Sequence, residues 1–115
     1  MTIRVLVADD QAMIRGALAG LLDLESDIEV VAQAADGAQA LEELARLVSA
    51  DAPARASAPV DVAIIDVEMP RMDGITATQA IHSRFPGVRV LIVSTFGRPG
   101  YLQRALDAGA TGFMV

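Results

Sequence analysis

The feature that most restricts this chain is an alternation: short runs rich in Val and Ile take turns with segments whose apolar residues recur at helical spacing. Strands separated by helix-length crossovers run parallel, and strands that are apolar at successive positions need cover on both faces, so the pattern predicts an α/β fold with helices wrapped around a parallel sheet. The predicted strands are Ile3 to Ala8, Ile28 to Ala32, Val60 to Ile65, Val88 to Val93 and Gly112 to Val115. Between the first two, Met13, Ala17, Leu18, Leu21 and Leu22 form one apolar stripe and predict a helix from Ala12 to Leu24. Ala40, Leu41, Leu44, Leu47 and Val48 repeat that spacing in a second helix, with Asp36 and Gly37 placed to start it. A third helix begins at Asp73 or Gly74 and ends before Pro86-Gly87, and a fourth runs from Pro99, a good first-turn residue, to Gly109. The Ala/Pro/Ser-rich stretch from Ser49 to Pro59 has no apolar periodicity and reads as a mobile surface connection without chemistry.

Length and composition narrow the chemistry. A chain of 115 residues forms one domain, burying roughly two thirds of the surface its unfolded form exposes. Its hydrophobic fraction of 53% is dispersed in short runs, so no membrane span is expected, and without a basic leader or cleavage site the cytoplasm is the expected compartment. There are no cysteines, so a bound cation must take oxygen ligands or the lone His82. His82 sits on a predicted helix and reads as a surface side chain; Met69 and Met72 read as loop packing and Arg71 as a solvated charge. The net charge of −6 argues against direct binding to nucleic acid.

Ligands of parallel α/β sheets bind beyond the carboxyl ends of the strands, and Asp9, Asp10 and Asp66 each follow a run read as central. Two carboxylates about 4 Å apart repel by roughly 4 kcal/mol at an effective dielectric of about 20, so three together need relief. Raised pKa values are one remedy; a hard cation such as Mg²⁺, content with oxygen ligands, is the other. Mg²⁺ keeps coordination positions open for phosphate oxygens, which lets an acidic pocket receive a phosphoryl group and a carboxylate become its acceptor. A hydroxyl closing the fourth strand, from Ser94 or Thr95, supplies a donor for the transferred oxygens.

With Val5-Leu6-Val7-Ala8-Asp9-Asp10, Ile64-Ile65-Asp66-Val67-Glu68-Met69-Pro70, Met72-Asp73-Gly74, Ser94-Thr95 and Ala108-Gly109-Ala110-Thr111-Gly112-Phe113 in view, nearly the whole chain resembles the receiver domains of two-component response regulators. The resemblance implies a doubly wound five-stranded parallel sheet in the order 2-1-3-4-5. It implies Asp66 as phosphoacceptor, Asp10 as a direct Mg²⁺ ligand, Asp9 as a water-mediated one and the Glu68 carbonyl as a third contact. Ser94 falls at the phosphoryl-binding switch position, Thr95 beside it, and Phe113 at the switch aromatic. The implied role is that of a signalling receiver that assists its own phosphorylation and dephosphorylation, not of an enzyme turning over substrate. A sensor histidine kinase is the implied donor.

Two features depart from the family pattern. The phosphate-binding lysine is expected directly after Val115, and the last helix, which packs beside the first, is expected after it, so the 115 residues read as a receiver fragment. The connection from Ser49 to Pro59 is also longer than usual. Ser94-Thr95-Phe96, Arg98-Pro99-Gly100-Tyr101 and the turn from Ala108 to Phe113 resemble regulators of the NarL/FixJ type. Those carry a C-terminal helix-turn-helix domain, which implies transcriptional control, DNA contact only through that absent domain, and homodimerisation on phosphorylation through a surface near Tyr101, Arg104 and Phe113. Three other readings compete: a stand-alone receiver without a DNA-binding domain shares every site residue, whereas an aspartate-nucleophile phosphatase typically carries Asp-x-Asp at its first strand, and a flavodoxin-like binder carries a Gly-rich loop where this chain has acids.

Overall fold

The computed structural model describes residues 2–50, 58–94 and 100–114. Nine elements alternate along it: β1 (Ile3–Ala8), α1 (Ala12–Asp23), β2 (Ile28–Ala34), α2 (Gly37–Ala50), β3 (Val62–Asp66), α3 (Gly74–Arg84), β4 (Arg89–Val93), α4 (Tyr101–Asp107) and β5 (Gly112–Met114). The strands form one parallel sheet in the order β2-β1-β3-β4-β5, as the family resemblance implied. The topological switch lies between β1 and β3, where successive crossovers leave in opposite directions and open a crevice at the strand ends. No helix among the described residues is long and apolar enough to cross a membrane.

The two faces of the sheet are covered unequally. Leu6 and Ala8 of β1, Ala63 and Ile65 of β3, and Val90 and Ile92 of β4 point into one core with Ala40, Leu41, Leu44 and Leu47 of α2, Ile75 and Ile81 of α3 and Ala105 of α4. Val5 and Val7 are buried on the other face, but Val62, Ile64, Leu91 and Val93 on that face are only half-buried. The expectation of full cover on both sides is therefore corrected. Among the described residues only α1 lies there, against β1 and β2. The predicted α1 stripe divides for the same reason: Leu18, Ala19 and Leu22 turn inward, whereas Met13 and Leu21 are 88% and 64% exposed. Helical spacing marks an apolar face, but it does not say which neighbour covers it.

Element ends moved by a residue or two. β2 continues to Ala34, and β3 starts at Val62 because Asp61 is engaged in the turn, accepting from the Arg4 amide at 2.8 Å. The long connection begins later than expected, since Ser49 and Ala50 belong to α2, and its end, Pro59, is buried instead of on the surface; Val60, expected as the first strand residue, is buried ahead of β3. Residues 51–57 within it, Thr95, Pro99 and Val115 lie outside the described residues. Asp73 caps α3 as anticipated, accepting from the Thr76 amide at 2.7 Å. His82 is exposed, with its ring packed against Gly109 at φ 106°.

Two glycines permit close approaches that shape the crevice. A Cβ on Gly74 would lie 2.0 Å from the Asp66 carbonyl oxygen, and one on Gly37 would lie 2.6 Å from the Met72 carbonyl oxygen. Backbone cannot yield there as a flexible side chain can. Gly20 on α1 has open space around its Cβ position. Urea unfolding should therefore show Gly74→Ala destabilised by about 3 kcal/mol or more, and Gly20→Ala stabilised by about 0.5–1 kcal/mol through helix propensity. Equal small effects at the two positions would contradict this packing.

Candidate functional site

Three carboxylates meet at the crevice. Asp66 is the last residue of β3, not the first beyond it as expected, and it stands on the α1 side of the sheet in line with Val62 and Ile64. Asp9 and Asp10 follow β1, the neighbouring strand. One oxygen from each of Asp9, Asp10 and Asp66 lies within 4.8 Å of the others. The sequence placed all three at this end, and the structure brings them together.

Local hydrogen bonds account for how they are held. The Asp9 amide donates to the Ala34 carbonyl at 3.0 Å, and the Asp9 carboxylate accepts from the Gln11 amide at 2.9 Å, closing the turn into α1. The Arg15 guanidinium donates to the Asp9 carbonyl at 2.7 Å, tying that turn to the first turn of the helix. Asp66 accepts from the backbone amides of Val67 and Glu68. These donors favour its charged form, but burial and then the charges of Asp9 and Asp10 outweigh them, and its carboxyl is pushed up to about 6. Burial and the neighbouring negative charges thus act in the same direction on Asp66.

Oxygen ligands confined this closely, without thiols or a nearby histidine, suit a hard divalent cation that binds some ligands directly and others through water. The residues present therefore fit Mg²⁺.

The remaining expected residues surround this cluster. Ser94 follows β4 directly, 2% exposed, with its amide donating to the Met114 carbonyl at 2.8 Å; it is one step beyond Val93, the register partner of Asp66. Phe113 lies opposite Ile92 on β5, half-buried against the core on the α4 side. Thr95, the other expected switch residue, is outside the described residues. Glu68 is exposed, and its carboxylate accepts from the Tyr101 hydroxyl at 3.0 Å, so α4 touches the loop after the phosphoacceptor candidate. A pocket of about 380 Å³ opens beside that contact, lined by Val67, Met69, Ile75 and Arg104 among others.

Two residues have roles that sequence reasoning missed. Arg71, expected to be solvated, donates through Nε and a terminal nitrogen to one oxygen of Asp36, at 2.8 and 2.5 Å. Asp36 is 1% exposed and was expected only to start α2. It does so, accepting from the Gln39 amide at 2.8 Å while Gln39 returns its side-chain oxygen to the Ala35 amide. The Gln39 amide, ahead of the Arg71 guanidinium, holds the Asp36 carboxyl below the usual range against the opposing effect of burial. A capping signal was readable around Asp36, but an ion pair spanning 35 residues leaves no local trace.

Comparison with known proteins agrees with this architecture. Residues 5–115 match the family model of the response regulator receiver domain. The chain is 39% identical over 113 residues to the uncharacterized transcriptional regulatory protein YvfU and 38% identical to the transcriptional regulatory protein DesR, both of Bacillus subtilis, covering 98% of this chain. It spans about half the length of these relatives, 51% and 50%. Among solved structures, the signal receiver domain of the response regulator NarL from Mycobacterium tuberculosis superposes with a TM-score of 0.82 at 36% identity, over 98% of this chain and 82% of that one. A five-stranded sheet in the order 2-1-3-4-5, acids gathered at its switch point and a family match across nearly every residue make one conclusion: this chain belongs to the response regulator receiver domains.

Proposed function

We propose that this chain accepts a phosphoryl group on Asp66 in a Mg²⁺-dependent reaction and thereby controls a DNA-binding output domain. Receiver domains are phosphorylated by sensor histidine kinases, and such a kinase is the donor in this reading. The observation that carries it is the convergence of the Asp9, Asp10 and Asp66 oxygens within 4.8 Å, with the Asp66 carboxyl pushed up to about 6. In the role assignment, Asp10 is a direct metal ligand, Asp9 acts through water, and Asp66 and the Glu68 carbonyl complete the protein's share. A bound Mg²⁺ neutralises the cluster and gives the phosphoryl oxygens a positive partner.

The chain's own groups then do the following. An Asp66 oxygen attacks phosphorus as the bond from phosphorus to the donor's imidazole nitrogen breaks, and the imidazole leaves with the electron pair and takes up a proton. The Val67 and Glu68 amides hold the Asp66 carboxylate in orientation. The Ser94 hydroxyl donates to a phosphoryl oxygen, and movement of Ser94 and Thr95 towards it is read out by Phe113 and by the α4 surface around Tyr101 and Arg104. Homodimerisation through that surface follows phosphorylation. The names of YvfU and DesR, about twice the length of this chain, support a transcriptional output domain outside these 115 residues. We place the protein in the cytoplasm and read it as a signalling receiver, not a turnover enzyme.

Asp66→Asn should abolish Mg²⁺-dependent labelling by a small phosphoramidate donor while leaving the far-ultraviolet circular dichroism unchanged. Labelling retained at the parent rate would overturn the assignment. A second outcome concerns pH. Asp66 titrates at about 6 in the folded, metal-free chain, whereas an unfolded aspartate titrates near 3.9, so between about pH 4 and pH 6 the folded state holds the extra proton. Stability from this group is complete below about pH 4 and is lost as pH rises through 6. Asp66→Asn removes that loss, so in chelator its advantage over the parent should grow from pH 4 to pH 7 in thermal unfolding. An advantage independent of pH would show that Asp66 carries no raised pKa.

A further inference from the structure

Resting on the phosphoacceptor reading above, we propose that the ion pair between Asp36 and Arg71 is a positioning device. It clamps the loop between β3 and α3 to the start of α2 and so keeps the segment carrying Glu68 in place for cation binding at the carboxylate cluster.

Arg71 stands at φ 64°, the one non-glycine residue with positive φ among those described. A left-handed arginine is disfavoured in an L-chain and persists only where its surroundings determine it. Arg71 is the central residue of a γ-turn closed by the Met72 amide donating to the Pro70 carbonyl at 2.7 Å, and its side chain is anchored on Asp36, whose two oxygens are both committed: Oδ1 to the Gln39 amide, Oδ2 to the Arg71 guanidinium. The Arg71 side chain remains 68% exposed, so apolar burial does not explain its conformation. The next residue strengthens the clamp, because the Met72 carbonyl accepts from the Gly37 amide at 2.9 Å across a gap that only a glycine allows.

At its other end the same loop is tied to the site. The Val67 and Glu68 amides donate to the Asp66 carboxylate, and the Val67 carbonyl accepts from the Gly74 amide at 2.8 Å. Residues 67–73 thus span from the carboxylate cluster to the α2 N-terminus with both ends held. Glu68 cannot shift relative to Asp66 without straining one of these attachments. Arg71 touches neither phosphoacceptor nor metal position, which makes it a positioning residue and not a catalytic one.

The test is calorimetric titration of the full chain with Mg²⁺ alone, no phosphodonor present, at a temperature where circular dichroism shows every variant folded. Arg71→Ala and Asp36→Asn should each weaken Mg²⁺ binding by roughly tenfold, the low end of what outer partners of metal ligands contribute. The double variant should lose no more than either single one, and Arg71→Lys should recover part of the loss. Arg46→Ala, which removes an exposed pair with Glu43 on α2, should bind as the parent does. Variants that unfold at lower temperature yet bind Mg²⁺ with parental affinity would show that the pair only caps α2, and would overturn the proposal alone. Absence of Mg²⁺ binding in the parent chain would overturn the phosphoacceptor reading and this inference with it. Should Asp36→Asn not fold, the Arg71 series decides the matter by itself.

Discussion

Mutual repulsion among Asp9, Asp10 and Asp66 is the constraint around which the rest of the molecule is arranged. A sheet that delivers acids from adjacent strands to one edge sets the burial of Asp66 and its repulsion by Asp9 and Asp10 against the charged folded state. Backbone donors around the acids offset part of this, and Asp66 holds its proton up to about pH 6. What destabilises the isolated chain is also what makes the crevice attractive to a divalent cation, and a cation is what makes an acidic crevice receptive to an anion. In the proposed function, binding and chemistry both follow from this one electrostatic feature.

The loop after β3 connects that feature to the rest of the fold. Its first residues hold Asp66, Glu68 reaches Tyr101 on α4, and Arg71 and Met72 reach α2. Gly37 and Gly74 let backbone approach backbone at both ends, so this loop has little freedom to relax independently of its neighbours. Direct contacts therefore join the segment beside the carboxylates to two helices.

Much of this was legible in the sequence because buried strands show as unbroken apolar runs and helices through a period of 3.6 residues. The Val- and Ile-rich runs marked all five strands to within a few residues, and Asp9, Asp10 and Asp66 stood out because acids at the ends of buried runs are costly. What stayed hidden depends on partners distant in sequence. Met13 and Leu21 share a stripe with Leu18 and Leu22, but only the packed sheet separates the covered pair from the exposed one. Arg71, flanked by Pro70 and Met72, has the composition of a solvated turn, and its partner lies on another element. Pro59 closes an Ala/Pro/Ser-rich stretch and yet is buried, as is Val60 beside it, just ahead of β3.

The measurement closest to the central claim is the carbon-13 shift of the Asp66 carboxyl followed across pH, once in chelator and once in saturating Mg²⁺. Crowded carboxylates relieved by a shared cation predict a midpoint near 6 in chelator and a clear fall when Mg²⁺ is added. A midpoint at the ordinary aspartate value in chelator, unmoved by Mg²⁺, would contradict the account.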